Sequence, residues 1–310
     1  MNLKSGHPGA GWVPFACLLV TGALLGVSTN LAKLAGMHGL SALPFLAWSL
    51  LGAALILGGT AAVRHRWPPL SRRTAEYFVV SALLSVAGPQ LLFFTAIPHV
   101  GASFVALAIA LPPLFTYLGV LVLGMERFSI GRAAGVAFAL AGAGLLAIMK
   151  LDTPDAETSW VLATLAGPLL LAAGNIYRSL RWPENTPLDA LAPGMLAAAA
   201  LGLLLVGVVP GFSLAVSFDS AVPVLLIAAQ TAAFALQYFL FFILQERGGP
   251  VYMSLLGAVG ALVGVPVAVL LIGETAPSGL LAGGGLIAVG IFLITSGGTA
   301  AAQRKETQPP

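Results

Sequence analysis

The chain reads as an all-α integral membrane protein. The expected plan is ten transmembrane helices in two inverted five-helix halves, and three observations predict it. First, 58% of its 310 residues are apolar and only 8% are charged, against roughly 25% charged in a soluble fold. Too little polar surface exists to cover a water-soluble globule, so lipid must be the solvent. Second, apolar runs of membrane-spanning length recur along the chain. Third, a single offset of 148 residues lays the second half on the first. It carries Trp12 onto Trp160, Gly26 onto Gly174, Lys33 onto Arg181, Leu107 onto Leu255 and Glu126 onto Glu274. It also carries Gly131 onto Gly279, Gly135 onto Gly283, Gly142 onto Gly290 and Leu145 onto Leu293.

The first repeat covers 11–149, with spans at about 11–33, 40–63, 75–96, 100–123 and 129–149. The second covers 158–297, with spans at about 158–180, 188–209, 219–243, 249–272 and 277–297, and a polar tail follows at 298–310. Each run suits a hydrocarbon core about 30 Å thick. The first run is longer than a signal core and pairs with the sixth span, so it reads as retained. Thr186-Pro187, Asp219 with Pro223, and Thr275 with Pro277 mark helix starts. Five spans per half is an odd number. The second half therefore enters the membrane upside down, with a pseudo-two-fold axis in the membrane plane.

Charge sets the orientation. With a cytoplasmic N terminus, twelve cations fall inside and only Lys33 and Lys150 outside. That bias places both termini in the cytoplasm of a bacterial-type inner membrane. The net charge of +3 builds no basic face, so nucleic acid is not a partner. Cys17, the single cysteine, excludes an intramolecular disulfide and a Cys-based metal site. No nucleotide-binding G-x-x-x-x-G-K-[ST] segment occurs, which excludes direct ATP drive from this chain. No metal or organic cofactor is implied.

The paired segments LVLGMERFSIGRAAGVAFALAGAGLL and LLIGETAPSGLLAGGGLIAVGIFLI resemble the EamA repeat of the drug/metabolite transporter superfamily. Its mark is a Gly-Glu closing the fourth helix of each half, followed by a Gly-rich fifth. Gly273-Glu274 matches it, whereas Met125 separates Gly124 from Glu126 in the first copy. ALLGVSTNLAK resembles the family's Trp-Gly-x-Asn opening, with Leu25 in place of Trp. The likeness spans about 11–297, and among members the chain is most similar to YddG-like aromatic amino-acid and metabolite exporters. The resemblance implies ten helices around a central cavity built by helices 1, 3, 4, 6, 8 and 9, with export by alternating access.

Glu126 and Glu274 are read as structural, each complementing the N-terminal dipole of the helix that follows it. The glycines of the fifth and tenth spans are read as a static seam or a dimer face rather than a sliding surface. No Asp or Glu lies mid-span, which argues against proton relay and against lipophilic cations as cargo. The mid-membrane polar groups are neutral, and burying them costs several kcal/mol unless they are paired or wet. They are expected to face the interior. Gln230, Phe234, Gln237 and Phe241 share one face of the eighth span. Amides interleaved with rings suit a ligand with an amino-acid end and an apolar end. The expected cavity residues are Asn30, Gln90, Phe94, Tyr117, Tyr177, Gln230, Phe234, Gln237, Tyr238, Phe241 and Tyr252. Lys33, His99 and Arg181 are candidate mouth or gate residues, with snorkelling the plainer reading for the two long cations. Pro89, Pro112, Pro113 and Pro266 are candidate hinges.

The function that follows is a secondary transporter, not an enzyme. It exports small metabolites, most of all aromatic or other apolar amino acids. Drug transport, or transport of nucleotide sugars or phosphorylated metabolites, is the alternative within the superfamily. The phosphorylated class would require several Lys or Arg residues at mid-membrane, where none is expected. A membrane-embedded enzyme lacks the paired polar residues it would need at depth, and a receptor or scaffold fits the duplicated plan poorly. The partners are a small-molecule substrate and the lipid bilayer, with the chain a monomer or weak dimer.

Overall fold

The computed structural model describes residues 12–306 apart from 67–70, 126–127, 152–156, 184–185, 187 and 277–278. The described residues form helices and connections with no strand. The helices are α1 (Trp12–Met37), α2 (Ala42–Val63), α3 (Arg72–Ala82), α4 (Gly88–Val100), α5 (Ala102–Ala108) and α6 (Pro112–Val122). They continue with α7 (Ile130–Leu151), α8 (Thr158–Leu180), α9 (Leu188–Val208), α10 (Val222–Pro266) and α11 (Leu280–Glu306). A π-helical turn, Leu83–Ala87, joins α3 to α4, and another, Val267–Leu271, follows α10. Among the described residues, eight helices are long and apolar enough to cross a membrane, and Leu255–Leu271 and Leu280–Ile294 are shorter apolar helices. Leu55, Leu205, Leu262, Leu281 and Phe292 stand exposed on the outside. Such a surface is an aggregation hazard in water and an ordinary contact in lipid. The chain is a multi-pass membrane protein.

The first departure from the sequence reading is α10. Residues expected to form two spans, 219–243 and 249–272, lie in one helical run of 45 residues. That run does not extend straight. Gln230 bonds Ser28 of α1, and Gly264 bonds Asn30, two residues further along α1. In a straight helix Gln230 and Gly264 would stand about 51 Å apart. Their partners are neighbours, so the run turns back on itself and presents two arms. The first arm lies against α2, where Gly52 meets Thr231. The second lies against α1, where Gly22 meets Val259 and Gly26 meets Gly260 and Gly264.

Proline chemistry explains the other interruptions. Pro89 has no N–H to offer the Ser85 carbonyl, and the ladder widens into the π turn just before it. Pro112 and Pro113 open α6, and neither can donate to the Ile109 carbonyl, so the expected fourth span breaks into α5 and α6. Gly257 of α10 packs on that carbonyl; a Cβ there would also lie 2.9 Å from Ala110 Cα. Pro266 ends α10 at the second π turn. At the eighth span, Asp219 does not cap. It accepts a hydrogen bond from the Ser217 hydroxyl at 2.6 Å, while Pro223 occupies the first helical turn.

The glycines of the fifth and tenth spans make a seam within the chain. A Cβ on Gly135 would lie 2.7 Å from the Gly290 carbonyl oxygen, and one on Gly142 2.5 Å from that of Gly283. Each of these glycines therefore faces the counterpart of the other under the 148-residue offset. α7 and α11 run antiparallel through this contact.

Candidate functional site

A cavity of about 1030 Å³ lies inside the bundle. Residues from α1, the first π turn, α4, α6, α7, α8, α9, both arms of α10 and α11 line it. Its lining includes the buried Ile109 and Gly257, and Met125 and Ser179 at its outer edge. Met125 and Ser179 are exposed, so the cavity opens to the outside at the end that carries the connection around 125 and the end of α8.

Of the residues expected there, Gln90, Tyr117, Gln237, Tyr238 and Phe241 line the cavity, as do Pro89, Pro112 and Pro113. Gln237 is buried, and its carbonyl oxygen has no hydrogen-bond partner. Five others are placed differently. Asn30 donates its amide to the Gly26 and Gly264 carbonyls at 2.9 and 3.0 Å, while its Oδ1 is buried without a partner. Gln230 donates to the Ser28 hydroxyl at 2.9 Å, and Phe234 is wholly buried against Tyr238. Phe94 packs on Phe45, and the neighbouring ring, Phe93, lines the cavity instead. Tyr177 stacks on Tyr77, and neither lines the cavity. The stripe on the eighth span is thus divided. Its lower pair faces the cavity, and its upper pair packs above the cavity's end. The side chain of Tyr252 and all of Glu126 lie outside the described residues.

The opposite end of the bundle is closed. Lys33 Nζ donates to Glu274 Oε2 at 2.5 Å. The same carboxylate accepts from the Ala102 and Ser103 backbone N–H groups, each at 3.0 Å. Glu274 therefore neutralises the N-terminal dipole of α5, not that of the helix following it in sequence. Gly101, at φ 88°, allows the approach, since a Cβ there would lie 2.5 Å from Glu274 Oε1. Burial pushes the Glu274 carboxyl pKa up. The hydrogen bonds from Lys33 and Ser103 outweigh that, and the carboxyl is held below its ordinary value. Lys33, half-buried, does not simply snorkel. His99 is also engaged: its Nδ1 lies 2.9 Å from Glu157 Oε1, and its ring stacks on Trp160 at 4.4 Å. This contact ties the end of α4 to the start of α8. Arg181 is exposed just beyond α8.

One cavity residue runs against the charge-based reading. Arg178, expected among the cytoplasmic cations, is only 3% exposed and lines the cavity. It donates to the Ser85 hydroxyl of the π turn, and to Asn175 Oδ1 at 2.6 Å. Its guanidinium lies over the Phe241 ring, 5.3 Å from the centroid. The only sequence signal was its spacing, three residues from Asn175 and so on the same helix face. Arg132 lines the cavity too, above the Tyr117 ring.

Residues 13–148 match the EamA-like transporter family. No curated protein matches significantly. A solved structure described only as "Crystal structure of protein" superposes with a TM-score of 0.60 at 18% identity, covering 91% of this chain and 95% of that one. At that identity the likeness shows the fold alone. The family match supports a membrane transporter, and no group of His, Cys, Asp or Glu able to hold a metal occurs among the described residues. Over residues 13–148 the chain is thus similar to EamA-like transporters, and its apolar helices make it a multi-pass membrane protein.

Proposed function

We propose that the protein is a secondary transporter of small metabolites with an apolar or aromatic body, amino acids foremost. The single observation that carries this reading is the shape of the cavity: enclosed by helices of both halves, open at one end and latched at the other by Lys33 and Glu274. Neutral amides and phenols beside aromatic rings suit a cargo with one polar and one apolar end. In this reading the two halves are inverted repeats of five spans each, 11–149 and 158–297. The reciprocal contacts Gly135–Gly290 and Gly142–Gly283 support it, because a two-fold relation brings each residue onto its partner's counterpart. With both termini in the cytoplasm of a bacterial-type inner membrane, the cavity faces inward. Alternating access would then open the Lys33–Glu274 end and close the other, where the offset places Arg181 and Glu126. The π turns beside Pro89 and Pro266 are the proposed bending points.

Uptake of labelled amino acids into proteoliposomes tests this, first without and then with a proton gradient. Equilibration of aromatic amino acids without a gradient is expected of a facilitator with a neutral, ring-lined site. Flux of no amino acid under either condition discards this cargo class. Gln237→Ala is expected to cut flux about tenfold at unchanged protein level, the size of one lost hydrogen bond. Undiminished flux removes Gln237 from the site.

A further inference from the structure

We propose that the cavity recognises its cargo by a carboxylate, and that Arg178 is the group that receives it. The proposal rests on the transport reading above and adds the chemical class that reading leaves open. It requires an acid head and an apolar body, and it does not require an amine.

Among the described residues, the charge of Arg178 is unbalanced. Arg178 carries a permanent positive charge and is nearly fully buried. Its partners are a hydroxyl, an amide oxygen and a ring face, all neutral. Among the described residues no carboxylate pairs with it, and none lines the cavity. Buried cations in proteins are ordinarily paired, because an unpaired charge is costly away from water. Arg178 is also incompletely bonded: its Nε has no acceptor. A guanidinium offers five N–H donors, and Ser85 and Asn175 each accept from one terminal nitrogen. Those two contacts fix the plane of the group while leaving donors over. A carboxylate is the planar, singly charged acceptor that such an edge fits with two parallel hydrogen bonds.

The surroundings complete the pattern. Phe93, Phe241, Trp182 and Tyr238 share the same cavity and supply ring faces for an apolar body. An amine finds only neutral acceptors there, such as the unpartnered oxygens of Gln237 and Gln245. The site therefore discriminates by the acid end. An aromatic amino acid and its deaminated analogue should both fit, and the decarboxylated amine should not. Ser85 sits in the π turn set by Pro89, so the element that holds Arg178 is also a proposed bending point, and cargo charge is sensed where the helix yields.

The test is equilibrium binding to the purified full chain in nanodiscs, read by tryptophan fluorescence and by radioligand competition. The probes are L-phenylalanine, 3-phenylpropionate, phenethylamine and phenyl phosphate. The expected result is that phenylalanine and 3-phenylpropionate bind within about threefold of each other, with phenethylamine at least tenfold weaker. Arg178→Gln should weaken both carboxylates at least thirtyfold and leave the amine unchanged, with Arg178→Lys between the two. Thermal unfolding without ligand should show Arg178→Gln at least as stable as wild type, since a buried unpaired charge has been removed. If that variant does not fold, Arg178→Lys and the wild-type probe series still decide. Equal binding of phenethylamine, no binding of either carboxylate, or carboxylate binding unaffected by Arg178→Gln overturns the proposal. Tighter binding of phenyl phosphate than of 3-phenylpropionate overturns it in favour of a phosphorylated cargo. Flux of the same probes in liposomes separates the two claims. Carboxylate binding without flux fails the transport reading alone, and equal flux of acid and amine fails only the inference about Arg178.

Discussion

Gly26→Leu protein is expected to be lost from the membrane fraction as folded material, because no side chain fits between α1 and the second arm of α10. At Gly26 even a single added carbon would press into the Gly260 carbonyl and lie 2.7 Å from Gly264 N. These are backbone atoms of a helix, so no rotamer change relieves the clash. Lipid is as apolar as the side chains it meets, so association of spans depends on close packing and polar contacts between them. Separating the backbones also breaks the bond from Asn30 to Gly264, 3.0 Å long and buried. Overpacking alone costs about 1–3 kcal/mol, and a severed buried hydrogen bond adds about 1–3 kcal/mol. Gly26→Ala should therefore fold with a clearly lowered unfolding temperature. Gly36→Ala, on the same helix with nothing within 4 Å of the added carbon, should be neutral. Size-exclusion profiles and thermal unfolding in detergent read both. Equal stability of the two alanine variants would show that α1 does not pack as described.

Glu274→Gln is expected to release the closed end. The carboxylate holds three donors at once: Lys33 of α1 and the Ala102 and Ser103 N–H groups of α5. A neutral amide keeps one acceptor oxygen and places two hydrogens against the other donors. The side chains are 20% and 10% exposed, so the pair is neither fully screened nor fully buried. A loss of about 2–4 kcal/mol is expected. The pH dependence follows from the direction of the shift. The folded-state pKa of Glu274 is lowered from 4.5, so the unfolded chain takes up this proton first as pH falls. The carboxylate therefore contributes its full stabilisation above the ordinary value, and that contribution fades as pH drops through the lowered one. Wild type should unfold at higher temperature than Glu274→Gln at pH 7, and the gap should shrink below about pH 4.5. A gap unchanged down to pH 3 would mean the charge is not what holds the latch. In transport assays the variant should also expose both ends of the cavity, read as faster labelling of cysteines introduced near Gly101.

Arg178 shows where sequence reasoning stopped. Counting cations by loop places it at the water interface beside Arg181. They lie three positions apart, yet one is buried against Ser85 and Phe241 and the other is exposed. The difference is made by α3 and α4, and above all by the π turn that Pro89 induces and that brings Ser85 to the guanidinium. No local pattern in 175–181 encodes that neighbour. The face carrying Gln230, Phe234, Gln237 and Phe241 was legible as one stripe, because helical periodicity is a local property. Where the cavity ends along that stripe was not, because it depends on α1 supplying Ser28 at the height of Gln230.

Some properties of this protein follow from the order of its residues alone. The lipid environment follows from composition, since 8% charge cannot cover a soluble surface. The pairing of residues at an offset of 148 is likewise a property of the sequence itself. The positions of the breaks follow from proline, which lacks a donor in every context. Other properties depend on which distant segments meet, and only the tertiary structure decided those. It placed Glu274 on the start of α5 rather than on the helix after it, because a carboxylate goes to whichever unbonded N–H groups the packing brings near. It turned the apolar run 222–266 back on itself through contacts with α1 and α2. It also buried one arginine with no carboxylate partner among the described residues, because burial is set by neighbours in space and not by neighbours in sequence.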